Sequence, residues 1–76
     1  MSPKLPLVTG AQLARALERD GWRRVRQRGS HVIMRHDGKP GRVAVPVHAG
    51  QDVPIGTLRT ILDGAGLDAD DLRRLL

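Results

Sequence analysis

The chain has 76 residues, a formal net charge of +5 and no cysteine. At this length folding buries roughly 60% of the extended chain's surface, which allows one small core, makes residues 1–76 a single domain and leaves any site on an open surface. Disulfides and thiolate metal sites are excluded; the apolar runs are too short to span a membrane, and Met1 to Val8 do not have the form of a signal peptide, so a small cytoplasmic protein is expected.

The first helix is announced by Thr9 and Gln12, spaced as a capping box, with Val8 and Leu13 at the staple positions around them. Leu13, Ala14 and Leu17 continue an apolar stripe, and Gly21 ends the helix. From Trp22 to Val47 the pattern alternates, which predicts three strands at about 23–28, 31–35 and 42–47. Gly29-Ser30 suits a two-residue hairpin turn with glycine first, and the stretch from Asp37 to Gly41 a looser one. A second helix is predicted over about 54–65, with Pro54 in its first turn and Ile55, Leu58, Ile61, Leu62 and Ala65 as its buried stripe. Gly56 and Gly64 each cost that helix roughly 1 kcal/mol relative to alanine if interior. Gly66 stops it, and Asp68 with Asp71 caps a short third helix ending in Leu72, Leu75 and Leu76. The expected fold class is therefore α+β, in the order α-β-β-β-α, with a three-stranded antiparallel sheet, both main helices on one face and a short C-terminal helix.

Charge is concentrated along this order. Residues 1–50 carry +7 and residues 51–76 carry −2, and eleven of the thirteen cations are arginine. The segment from Trp22 to Arg35 contains five arginines and no acid, which points to a polyanionic partner gripped by planar guanidinium forks. With a two-residue turn, Arg28 faces His31, Arg26 faces Ile33 and Arg24 faces Arg35, so these six share one face of the sheet. Val25, Val32, Met34, Val43 and Val45 are expected on the opposite, apolar face. Ala44, Pro46 and by continuation His48 then turn toward the arginines, bringing His48 near His31. His36 beside Asp37 is expected in solvent, and three histidines at these spacings do not make a zinc site. Trp22 is expected to plug the core rather than stack on a base.

Cleavage of RNA needs a base for the 2′-hydroxyl, an acid for the leaving 5′-oxygen and cations for the charge developing on phosphorus. An imidazole at His31, flanked by Arg26, Arg28 and Ser30, can fill either proton-transfer role. His48 fits equally well as a loop histidine holding the strand-to-helix connection.

The run from Gly21 to His31 (GWRRVRQRGSH), Val45-Pro46-Val47-His48 and the segment from Gly56 to Leu62 (GTLRTIL) resemble the HicA toxins. The resemblance extends from Leu13 to about Leu67. It implies a double-stranded-RNA-binding-domain-like fold, a toxin of a type II toxin–antitoxin pair that acts as an mRNA-cleaving ribonuclease, and a HicB-like antitoxin that masks the site. The family's catalytic histidine corresponds to His31. Together the residues and the resemblance lead to an expectation of metal-independent endoribonuclease activity with no cofactor. His31 would be catalytic, Arg24, Arg26, Arg28, Gly29, Ser30 and Arg35 would bind RNA, and His48 would be a possible second site histidine. The competing expectation is a non-catalytic RNA-binding module built on the same basic sheet face. A third is a basic surface whose main role is to dock an acidic protein.

Overall fold

The computed structural model describes residues 4–76; Met1, Ser2 and Pro3 of the segment considered as a signal peptide lie outside the described residues. Helix α1 spans Gly10–Arg19 and is closed at its start by both hydrogen bonds of the Thr9–Gln12 capping box. Gly21, at φ 107°, turns the chain into the first strand. Strands β1 (Trp22–Arg28), β2 (His31–His36) and β3 (Lys39–Pro46) form one antiparallel sheet in the order β1-β2-β3. Helix α2 covers Ile55–Ala65, with Pro54 as its N-cap and Gly66 in the left-handed conformation as its C-cap. Helix α3, Ala69–Leu75, carries a second complete capping box between Asp68 and Asp71. The α+β class and the order of elements are those expected, with the C-terminal turns formed into a true helix.

The core lies between one face of the sheet and the helices. Val32, Met34, Val43 and Val45 from the strands meet Leu13, Ala14, Ala16 and Leu17 of α1 and Leu58, Ile61, Leu62 and Ala65 of α2. Trp22 is buried at the helix-to-strand junction, where its ring packs edge-on against His36 at 5.5 Å. Leu72 of α3 enters the same core; Leu75 is half-buried and Leu76 exposed. At the other end of the domain, α1 presses its first residue onto β3. A side chain at Gly10 would overlap the Pro46 carbonyl oxygen and come within 2.8 Å of the Val47 Cα.

Two expectations about β1 and β2 change. The ladder is irregular between Arg24 and Arg26: Arg26 pairs with Ile33, but Arg24 pairs with Met34 and Arg23 with Arg35. Val25 is the extra residue of this β-bulge. It does not join the apolar face and is 41% exposed, because a bulged residue is left without a place in the alternation. His36 is half-buried rather than in solvent. Its Nδ1 accepts from the Gly38 amide at 2.9 Å, which leaves Nε2 as the donor to the Asp20 carbonyl at 2.8 Å. It ties the end of α1 to the β2–β3 turn, a structural task set by the close approach of Gly21 and Trp22.

Candidate nucleic-acid interface

Among the described residues no helix covers the second face of the sheet. Residues directly opposed across antiparallel strands project from the same face, so the register fixes its composition. Arg28 stands opposite His31, Arg26 opposite Ile33 and Arg23 opposite Arg35. Beyond β2, His31 stands opposite Pro46, Ile33 opposite Ala44 and Arg35 opposite Arg42. Ile33 occupies the middle of this face. It is only 8% exposed although it is no part of the core behind the sheet. The aliphatic stems of long neighbours can cover such a residue while their charged ends stay in water.

Five arginines thus share the face. Arg23 is held by Asp37 at 2.9 Å; among the described residues Arg26, Arg28, Arg35 and Arg42 have no carboxylate partner. The bulge removes Arg24 from the expected set. Opposite Met34 it leans toward the helices and meets Glu18 of α1 at 3.4 Å. Arg23 takes its place on the open face. Arg42 was not singled out from the sequence, although the alternation that placed Ala44 and Pro46 there extends to it.

Gly29, at φ 57°, makes the hairpin turn and keeps the Arg28–His31 pair closed. Ser30 then donates no backbone slack to the site: its carbonyl accepts the Val47 amide at 2.7 Å, which extends the β2–β3 pairing to the sheet's end. His31 and His48 come together here, as the alternation predicted, on the walls of a cleft of about 350 Å³. Pro46, Asp52 and Thr57 also line it. The loop that carries His48 is pinned at two points. The Gln51 amide reaches the His48 carbonyl at 3.0 Å, and the Val53 amide reaches the Val8 carbonyl at 2.7 Å. Asp52 and Thr57 were not legible as site residues, since only this folding-back of the loop brings them to the histidines.

The start of α2 contributes to the cleft through Pro54 and Thr57. Its N-cap is a proline with no side-chain hydrogen bond to the first turn, so among the described residues the amides of that turn lack a capping partner. They add partial positive charge at the same end of the sheet as Arg28. Among the described residues, no group of three or more histidine or carboxylate side chains is placed to hold a metal ion.

This arrangement is a cationic sheet face that ends in a two-histidine cleft. The family model described as HicA toxin of bacterial toxin–antitoxin matches residues 10–67. The chain belongs to the HicA toxin family. The matched stretch includes α1, the whole sheet, the cleft and α2, and stops before α3. Membership makes this HicA-family chain a toxin of a toxin–antitoxin system and implies an antitoxin as its partner. No curated protein matches the sequence. None of its helices is long and apolar enough to cross a membrane among the described residues.

Proposed function

We propose that this HicA-family toxin is an endoribonuclease that cleaves mRNA at the His31–His48 cleft and is inhibited by a HicB-like antitoxin. The observation that carries the proposal is that two imidazoles line one cleft at the end of a sheet face with four arginines that have no carboxylate partner among the described residues. RNA supplies its own nucleophile, so the chemistry reduces to proton transfers and charge stabilisation. His31 removes the proton from the 2′-hydroxyl, whose oxygen attacks the adjacent phosphorus. The bond to the 5′-oxygen breaks, and that oxygen takes a proton from the imidazolium of His48, which lines the same cleft. The products are a 2′,3′-cyclic phosphate and a 5′-hydroxyl end.

Arg26 and Arg28 hold the phosphates that lead into the cleft, with Arg35 and Arg42 along the continuing backbone. The Gly29-Ser30 turn lets the phosphate approach the main chain closely. Charge on the phosphorane is met by Arg28 and by the uncapped first turn of α2. Contacts of this kind set register without reading sequence, so base preference is weak. The reaction as written needs no metal.

The test is cleavage of one long mRNA by purified wild-type, His31→Ala and His48→Ala proteins in EDTA, with end-group analysis. Removing a general acid or base costs about 10²–10⁴ in rate, so both variants are expected to fall by at least about a hundredfold while still binding RNA. Equal cleavage by wild type and His31→Ala would overturn the assignment of the base. Salt-sensitive binding with no cleavage by any of the three would make the protein a non-catalytic RNA-binding module.

A further inference from the structure

β3 forms one side of the sheet, and among the described residues no backbone hydrogen bond reaches its outer edge from another element. The polarity of that edge follows from one bond. Donation from the Val47 amide to the Ser30 carbonyl makes Ser30 and Val47 a hydrogen-bonded pair. Alternation along an antiparallel ladder then gives the same inward bonding to Val45 and Val43. The amide and carbonyl groups of Arg42 and Ala44 therefore point outward, together with the carbonyl of Pro46. Pro46, which has no amide hydrogen, occupies an outward-facing position where none is missed. Gly41, Arg42 and Ala44 are exposed.

This edge differs from that of β1, where the Val25 bulge and a row of arginines interrupt any further pairing. Beside the β3 edge runs a groove of about 680 Å³, walled on the other side by α2 through Thr57, Thr60, Ile61 and Gly64. Space remains in it: a side chain at Gly56 would meet nothing within 4 Å, and one at Gly64 would only touch Val43 at 3.7 Å.

An added strand must satisfy two different surfaces with alternate side chains. On the open face its residues would lie beside Arg42 and, one strand further in, Arg35, neither of which has a carboxylate partner among the described residues. On the other face its residues would enter the groove over Ile61, between Thr57 and Gly64. A second copy of this chain is a poor occupant, because it would join two cationic faces on two chains of net charge +5. We propose that the β3 edge is a strand-addition site for an extended segment of a partner protein in which acidic residues alternate with small apolar ones. Main-chain bonds to Arg42 and Ala44 supply affinity, and the arginine side and the groove side supply specificity. The groove adjoins the histidine cleft, with which it shares Pro54 and Thr57, but strand addition does not depend on cleavage.

The test uses a short acetylated and amidated peptide alternating Glu with Val, titrated into the isotopically labelled full chain. Expected results are shifts centred on the Arg42 and Ala44 amides, slowed hydrogen exchange at both, and affinity that falls as salt rises. A matched peptide with Lys for Glu is expected not to bind. Arg42→Glu is expected to weaken binding by at least about tenfold, and Thr60→Arg, which intrudes on the groove, is expected to weaken it independently. Both variants are checked for folding by the buried emission of Trp22. Shifts confined to Arg26 and Arg28, no binding at millimolar peptide, or edge amides protected by self-association of the chain would each overturn the proposal. Loss of RNA cleavage in the histidine variants would leave the peptide result untouched, so the two failures are distinguishable.

Discussion

Replacing Gly10 with alanine tests how tightly the first turn of α1 is fitted to the end of the sheet. The added Cβ would overlap the Pro46 carbonyl oxygen and lie 2.8 Å from the Val47 Cα and 2.9 Å from the Pro46 carbonyl carbon. All three are main-chain atoms, so no side chain can swing away. Either α1 or the end of β3 must move. Overpacking of this kind costs about 1–3 kcal/mol, while the gain in helix propensity from glycine to alanine returns at most about 1 kcal/mol. The net expectation is a destabilisation of about 1–2 kcal/mol, or a fall in Tm of roughly 4–16 °C at 4–8 °C per kcal/mol for a domain of this size. Trp22 is the only aromatic residue and is fully buried, so its fluorescence in urea reports unfolding without added labels. Gly56→Ala is the matched control. It adds the same methyl group to a helix, but into open space, and is expected to be neutral or stabilising by up to about 1 kcal/mol. Equal stability of Gly10→Ala and wild type, with the same denaturant slope, would refute the close fit. Because Pro46 stands opposite His31 and the strand leads directly to His48, a displaced β3 end should also lower cleavage in Gly10→Ala before the protein unfolds.

Lys39 joins three elements: its ammonium donates to the Asp20 carboxylate at 2.7 Å and to the Ala65 carbonyl at 2.8 Å. Both side chains are mostly shielded from solvent, so Lys39→Met is expected to cost about 1–2 kcal/mol in urea unfolding, and an unchanged midpoint would show the bridge to be idle. Arg26→Ala and Arg28→Ala should each weaken RNA binding and reduce the slope of log affinity against log salt by about 0.7 per lost phosphate contact. Arg24→Ala, whose side chain turns to Glu18, should leave that slope unchanged. The Asp71 carboxyl is held below the ordinary aspartate range, chiefly by the Asp68 amide that donates to it, with Arg74 adding to this against an opposing push from burial. A depressed folded pKa stabilises above the unfolded value and loses that contribution as pH falls through and below it. Acid melts followed by circular dichroism should therefore show α3 weakening on acidification, and Asp71→Ala should be less stable at neutral pH and less sensitive to acid.

Legibility in this chain followed the range of the interaction. Helix starts depend on residues three or four apart, and both capping boxes, Thr9 with Gln12 and Asp68 with Asp71, were readable from spacing and are fully bonded. Gly66 and Gly29 were equally readable, because a left-handed cap and a glycine-first turn are demands on a single residue. The histidine cleft was half legible. Alternation carried His48 to His31, whereas Asp52 and Thr57 depend on a loop folded back against Val8. Lys39 and His36 were illegible for the same reason. Their partners Asp20 and Ala65 lie 16 to 26 residues away, and a polar residue beside a turn looks solvent-exposed until the end of α1 is seen to pass over it.

The bulge in β1 belongs to a different class, since it follows from parity. Trp22 must face the core, where it is buried against His36. Arg28 must face outward, because the two-residue turn sets it opposite His31 on the uncovered side of the sheet. The two positions differ by six, an even number, and strict alternation would put them on the same face. One extra residue between them reconciles the two demands, and Val25 is that residue. Its displacement has a functional consequence that charge counting misses. The strand holds four arginines, but the bulge sends Arg24 back toward Glu18 and turns Arg23 outward to Asp37. Only Arg26 and Arg28, the two on the turn side of the bulge, reach the open face without an acidic partner among the described residues. The free positive charge of β1 is thereby gathered at the end of the sheet where His31 and His48 meet, while the arginines at the far end of that strand are paired with Asp37 and Glu18.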